Sequence, residues 1–327
     1  MIKWSVRILG VVVAALVVLF LIFRTPDTDR QAMRAKYGGE ASQFVTLSTG
    51  QEVHFRDEGP RDAPPILLLH GSNSSLHTWD QWAGALKDDF RVIRFDQIGH
   101  GLTGAAKDRD YSKARFVADV DALADHLGLE SFVIAGSSMG GWVSVSYALA
   151  HPDRVEGLAL LNASGAPRKA GEGRVYLGAT IARTPVLNQV MTMITPRSLV
   201  QASFEGAVAD PSVITEQAVD RYWELLRYPG NRQAAVDRAN ASRGGPFRPD
   251  DVAKLTMPSL IMWGAEDQVT PLSGAEWYAQ HLPNDRSIVY DAVAHIPMEE
   301  VPTRSVADFE KWLLNLVLTT QETEIPS

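Results

Sequence analysis

The sequence predicts an α/β chain built on a mostly parallel sheet, on three observations. Short apolar runs recur along most of the chain, each ending in Gly, Asp, Ser or Asn. Helical-looking segments separate nearly all of them, and one long interval interrupts the alternation with helices alone. Continuous apolar strands that alternate with helices belong to a sheet buried on both faces.

The 327 residues are 45% hydrophobic and 21% charged, enough for one large domain or two smaller ones. Lys plus Arg number 31 against 39 Asp plus Glu, a net charge of -8, so there is no overall basic footprint for nucleic acid. With no cysteine, disulfide frameworks, thiolate metal sites and a cysteine nucleophile are excluded; the compartment is not decided.

Taken in order, residues 8–23 are an unbroken apolar run preceded by Lys3 and Arg7. A bilayer core about 30 Å thick asks for about 20 helical residues, so the run spans only if residues 4–6 join it and Arg7 snorkels. Because no small-x-small site follows, the expectation is an uncleaved single-pass membrane anchor over residues 1–24, with the lipid bilayer as partner. A cleaved signal peptide and a buried core helix are the alternatives. Orientation stays open, since Lys3 and Arg7 face Arg24, Arg30, Arg34 and Lys36 across the run.

A polar connector over 25–42 leads to "QFVTLS" and "EVHFRDEG", whose alternation suggests an antiparallel edge pair. Then come "PPILLLHG", "FRVIRFDQIG", "SFVIAGSS", "EGLALLNASG" and "PSLIMWGAED", the buried strands, with "RSIVYDAV" the last. A helix is expected over about 112–127, where Phe116, Val117, Val120, Leu123, Ala124 and Leu127 share a face and Gly128 stops it. Residues 166–250 are too long for a connection and read as a helical cap over the carboxyl edge of the sheet. The cap divides a core of 43–165 and 251–317, followed by a polar tail over 318–327.

The stretch "IAGSSMGGW" joins a strand to a helix expected over 142–150, and Gly136, Ser138 and Gly140 make G-x-S-x-G. In that context the central serine stands on a strained turn with its hydroxyl exposed, and the glycines permit close strand–helix approach. The competing reading is a structural Gly/Ser turn. A serine hydroxyl needs a general base and a group that orients the base, and an elbow nucleophile takes them in the order Ser, acid, His. His281 falls late in an amphipathic segment and reads as helix surface, whereas His295 follows the last strand and reads as the base. Asp267, beside Glu266 at the end of a strand, is the acid; residues 161–164, one strand earlier, offer no carboxylate. The oxyanion donors are the backbone amides of Met139 and Ser72, with His70 fixing the loop rather than moving protons. No metal or cofactor is required.

"LLLHGSNSSLHTW", "RFDQIGHGLTG", "GSSMGGW", "WGAEDQVTP" and "AHIPMEEVP" together resemble the α/β-hydrolase superfamily over about 44–317. The resemblance implies an eight-stranded, mostly parallel sheet, a helical cap, and Ser138, Asp267 and His295 as a triad. Asp96 with Gly99-His100-Gly101 matches the family's turn after the fourth strand, although Gln97-Ile98 replaces its usual proline-containing form; the turn reads as structural. Ser138 argues against the aspartate-dependent dehalogenases and epoxide hydrolases of this fold.

The expectation is therefore a serine esterase of the carboxylesterase/lipase type, acting on an apolar or amphiphilic ester. The chain is also similar to meta-cleavage-product hydrolases, which break carbon–carbon bonds, but Ser137 and Ile296-Pro297-Met298 stand where those usually carry an asparagine and a tryptophan. A receptor-like binder is a third reading. Val186, Leu187, Val190, Met191, Met193 and Ile194 suggest either packing of the cap onto the sheet or an adaptable apolar wall for an acyl chain; a dienol-carboxylate would need a positioned cation, for which Arg174, Arg183 and Arg197 are the nearest cap candidates, though nothing in their spacing aims them at Ser138.

Overall fold

The computed structural model describes residues 2–174, 177–241 and 244–323; residue 1 of the expected anchor, residues 175–176 and 242–243 of the expected cap and 324–327 of the expected tail lie outside these. Eight strands form one sheet: β1 (Ser42–Thr46), β2 (Glu52–Glu58), β3 (Pro65–Leu69), β4 (Arg91–Phe95), β5 (Phe132–Ser137), β6 (Val155–Leu161), β7 (Ser259–Gly264) and β8 (Asp285–Tyr290). Their order is β1-β2-β4-β3-β5-β6-β7-β8. Only the pairs β1–β2 and β2–β4 are antiparallel; every other pair is parallel.

Alternation along the central strands explains their unbroken apolar character. Leu67, Leu69, Phe132 and Ile134 enter one core, while Ile66, Leu68, Val133 and Ala135 enter the other. Both faces are covered, so neither set of positions tolerates polar residues. The first core is closed by α4 (Lys113–His126) and α5 (Met139–Ala150), the second by α3 (Asp80–Leu86) and α14 (Pro302–Thr323). In the second, Trp82 stacks on Phe309 at 4.7 Å between centroids. Burying a side chain such as Phe309 stabilises the fold by about 1.5–3 kcal/mol. The expected helix after residue 111 is α4: the Ser112 hydroxyl accepts from Arg115 N at 3.3 Å at its start, and Gly128 follows its end at φ +65.

Between β6 and β7 lie α6 (Leu177–Arg183), α7 (Leu187–Met193), α8 (Arg197–Glu205), α9 (Glu216–Leu226), α10 (Asn231–Asn240) and α11 (Pro249–Val252). After β7 come α12 (Ser273–His281) and α13 (Pro297–Glu300).

The N-terminal expectation is corrected. Residues 2–23 are helical, as α1 (Ile2–Phe23), with α2 (Arg30–Tyr37) after it. Among the described residues, however, no helix is long and apolar enough to cross a membrane. At 1.5 Å per residue the apolar run of 8–23 reaches about 24 Å, short of a core about 30 Å thick. The anchor and the single-pass membrane location are therefore not supported. The end of α1 meets the cap instead: Thr25 N donates to Met193 O at 2.9 Å, and Arg232 of α10 donates to Asp27 at 2.6 Å and to Thr25 O at 2.7 Å.

The expected acyl-chain wall is corrected too. Val186 is 77% exposed, and Leu187, Val190 and Met193 are exposed with it. This run turns outward because α7 packs on α6 and α10 rather than on the sheet.

Candidate active site

Parallel pairing aligns the carboxyl ends of β3, β5, β6, β7 and β8, and the candidate residues leave the sheet there. Ser138 follows β5 and immediately precedes α5, so the helix begins three residues before the position expected from its apolar run. Ser138 adopts φ 51 and ψ -114, a strained backbone for a non-glycine residue. The turn is held by Ser138 N donating to Leu161 O at 3.0 Å, and by Trp142 N and Ser164 N donating to Ser138 O at 3.2 and 2.9 Å.

The glycines are required by contact. A Cβ on Gly136 would sit 2.3 Å from Gly140 C, and one on Gly140 would sit 2.1 Å from Leu69 O. A Cβ on Gly141 would meet Ala163 Cβ at 2.4 Å, a third close approach that the five-residue motif does not include. Ser137 ends β5, and its buried hydroxyl has no hydrogen-bond partner.

Asp267 and His295 are brought together from the loops after β7 and β8, with His295 Nδ1 2.8 Å from Asp267 Oδ2. Glu266 beside it is exposed, while Asp267 is buried. Asp267 Oδ1 accepts from Val269 N at 2.6 Å and Thr270 N at 3.0 Å; Oδ2 also accepts from the Thr270 hydroxyl and from Asn162 Nδ2, each at 2.6 Å. Burial pushes the Asp267 carboxyl up, but His295 and these donors together hold it below its ordinary value, so it stays ionised. An ionised acceptor fixes Nδ1 of His295 as a donor and leaves Nε2 for proton transfer. No hydrogen bond joins Ser138 to His295 among the described contacts; such bonds often form only when substrate is present.

The loop after β3 lies against the serine. A Cβ on Gly71 would be 3.2 Å from Ser138 Cβ, and Ser74 N donates to Gly71 O at 3.3 Å, closing a turn around Ser72 and Asn73. Asn73 sits at φ 60, which asparagine tolerates better than most residues. Met139 opens α5, so its N–H is one of the helix's uncommitted first donors.

His70 is committed to backbone on both sides: it shares Nδ1 with Gly71 O at 2.8 Å, and Nε2 accepts from Gln97 N at 3.0 Å. Burial lowers its pKa, keeping it neutral. Asp96 accepts from Leu76 N and Leu102 N at 2.7 Å and pairs with His54 at 2.7 Å, the structural role expected of its turn. His281 ends α12 with Nδ1 on Trp277 O at 2.7 Å.

Sequence reasoning missed Asn162 and Thr270. The sequence marks Asn162 only as a position without a carboxylate, yet its amide holds Asp267 and also reaches Ala294 O at 3.2 Å, beside His295. Its signal was a polar residue ending an apolar strand, interpretable only once β6 is known to lie between β5 and β7. Arg238 was missed as well: this buried residue of α10 donates to Gly99 O at 2.6 Å and to Asn73 Oδ1 at 3.0 Å. The three cap arginines named as candidate carboxylate partners make other contacts, as their spacing suggested. Arg197 pairs with Asp220 and Glu216, Arg183 reaches Ala239 O, and exposed Arg174 meets Gln268 O through its backbone.

The cap meets the histidine loop where His295 N donates to Ala207 O at 2.9 Å. Phe204 and Val208 are buried there with Ile296 and Met298. A separate cleft of about 520 Å3, between the end of α1 and the cap, is lined by none of the candidate residues. Among the described residues no histidine, aspartate and glutamate cluster converges as a metal site.

A family model described as alpha/beta hydrolase fold matches residues 64–302. A non-heme haloperoxidase of Rhodococcus erythropolis is 29% identical over 77% of this chain and 92% of its own. A meta-cleavage product hydrolase from Pseudomonas fluorescens superposes with a TM-score of 0.73 at 23% identity, covering 84% of this chain and 97% of that one. A thermophilic esterase from Thermogutta terrifontis gives 0.70 at 24%, covering 85% and 99%. At these identities the two structures show the shared fold.

Proposed function

The chain belongs to the α/β-hydrolase fold family, and from that premise we propose that it is a serine hydrolase that cleaves carboxylic esters through an acyl-enzyme. The observation that carries the reading is Ser138 at φ 51 after β5, on the same carboxyl edge of the sheet as an Asp267–His295 pair closed at 2.8 Å from the loops after β7 and β8.

In the proposed reaction Ser138 Oγ attacks the ester carbonyl and its proton passes to His295 Nε2. Asp267 keeps the imidazole oriented and stabilises its positive charge. The oxyanion is met by the N–H groups of Met139 and Ser72, each donor contributing about 3 kcal/mol to the transition state. His295 then protonates the departing alcohol, and water activated by the same histidine releases the acid. Phe204, Val208, Ile296 and Met298 belong to one buried apolar cluster, and the cap reaches the histidine loop at Ala207 between the first two; an apolar acyl group is the substrate part that such surroundings suit.

Carbon–carbon bond hydrolysis is the second reading. Arg238 favours it, as a buried cap cation next to the turn that carries Ser72. Its contacts with Gly99 O and Asn73 keep the ester reading first, because a carboxylate substrate would have to compete with them.

A fluorophosphonate probe is expected to label the protein at Ser138, and Ser138→Ala to abolish labelling. Persistent labelling of that variant at Ser137 overturns the assignment. A panel of p-nitrophenyl esters of graded length, run beside a meta-cleavage dienol substrate, ranks the two reactions; faster turnover of the dienol than of every ester reverses them.

A further inference from the structure

The turn that carries Ser72 is gripped by the cap. Asn73 Oδ1 accepts from Arg238 of α10, and on the other side the Ser74 hydroxyl lies 3.2 Å from the Tyr222 hydroxyl of α9. Tyr222 also hydrogen-bonds Glu299 Oε1, which takes the Thr78 hydroxyl as well, while Glu299 Oε2 accepts from Arg221 at 3.2 Å.

Proton counting fixes the direction. A tyrosine has one hydroxyl proton, and the carboxylate is the stronger acceptor, so Tyr222 donates to Glu299 and must accept from Ser74. Burial, followed by the Glu299 charge, raises the Tyr222 pKa, which keeps that proton in place. Glu299 lies in α13, four residues after His295. One carboxylate therefore ties together the cap, the turn after β3 and the element that follows the histidine loop. Phe204, part of the apolar cluster beside His295, packs on the Tyr222 ring at 4.7 Å between centroids.

We infer that Tyr222 is a positioning residue for the oxyanion hole: through Ser74 it sets the turn that presents the Ser72 amide, so that the hole is complete only with the cap seated. This rests on the serine-hydrolase reading above. A substrate large enough to fill the space under the cap would then spend part of its binding free energy seating it, which raises kcat rather than lowering KM.

The test uses the full chain and four variants, Tyr222→Phe, Ser74→Ala, both together and Ser74→Thr, with kcat and KM measured on the ester or dienol substrate that the wild type turns over best. Both Tyr222→Phe and Ser74→Ala remove the Ser74–Tyr222 hydrogen bond, and Tyr222→Phe also removes the one to Glu299, so Ser74→Ala is expected to lower kcat by about five- to tenfold and Tyr222→Phe by at least as much, each with KM within about twofold. The double variant is expected to fall no further than Tyr222→Phe alone, because the Ser74 contact is already lost in that variant. Ser74→Thr keeps the hydroxyl and is expected to recover most of the loss. The rate of phosphonylation at Ser138 should follow kcat in all four. A lowered melting temperature with unchanged kcat, an effect confined to KM, or losses that multiply in the double variant would each overturn the inference. Failure of the serine-hydrolase reading is distinguishable, because it appears as a wild type that the probe does not label or as labelling that persists in Ser138→Ala.

Discussion

Asn162→Asp is the sharpest test of the buried hydrogen-bond array around Asp267. The substitution is nearly isosteric, and it replaces an amide donor 2.6 Å from Asp267 Oδ2 with a second carboxyl. Both positions are buried, so solvent does little to screen them. At 2.6 Å and an effective dielectric of about 20, two full negative charges repel by about 6 kcal/mol. At about 1.4 kcal/mol per pK unit that lifts the carboxyl introduced at position 162 by about four units, from about 4 to about 8. Below that point the pair shares a proton, and the protonated carboxyl introduced at position 162 can donate to Asp267 as the amide does now.

The sign follows from linkage. The folded state holds a proton that the unfolded chain gives up near pH 4, so the variant's stability relative to wild type is full in acid. It falls by about 1.4 kcal/mol for each pH unit between about 4 and 8. Denaturant melts of both proteins at pH 5, 6, 7 and 8 measure it, and ester turnover of the variant should fall steeply above about pH 8 while the wild type holds. Parallel stability curves for the two proteins across that range would refute the assigned contact between residue 162 and Asp267.

Gly140→Ala should fail to fold or lose several kcal/mol, because its Cβ would lie 2.1 Å from the Leu69 carbonyl oxygen; the soluble yield and melting temperature check it. His295→Ala should lower kcat by several orders of magnitude while His281→Ala stays near wild type, since the His281 ring bonds Trp277 O of its own helix, away from the candidate residues; comparable losses would mean the base is misassigned. Burial pushes His77 down from its ordinary value of 6.5 to about 4, so the folded state resists its protonation. The stability it contributes is present above pH 6.5 and lost as the pH falls to about 4, by about 3 kcal/mol. His77→Gln should flatten that part of a stability–pH curve.

Much of the site was legible because elbow chemistry is local. The strand before Ser138, the glycines beside it and the helix after it are contiguous, so a short window carries both the geometry and the reason for it. Asp267 and His295 were singled out by chain order and by their position after apolar strands, without any knowledge of which strands adjoin, and the structure brings the two side chains to 2.8 Å of each other. The N-terminal run shows the limit of composition. Its apolarity was plain, but the length needed for crossing and the docking of residues 25–27 on the cap decide how the segment sits.

The cap was legible as an insertion but not as a surface. Amphipathic periodicity says that a helix has an apolar face and does not say what covers it, so the run around α7 suggests a wall it does not form. Asn162, Thr270, Tyr222, Arg238 and Glu299 were invisible for a related reason: each acts on a residue far away in the chain or on a loop whose shape the sequence does not show, and a polar side chain in isolation carries no record of its partner.

The sequence by itself determined the order of strands and helices along the chain, the two-sided burial of the sheet, the strained turn at Ser138 and the residue types of the candidate triad, because each depends on neighbours within a few positions. The tertiary structure alone decided that β6 runs between β5 and β7, so that Asn162 can hold Asp267, and that two cap helices close on the turn carrying Ser72. Those contacts follow from strand pairing and helix docking across long loops, and a contact of that kind depends on the packing of the whole sheet and cap rather than on either residue's own surroundings in the chain.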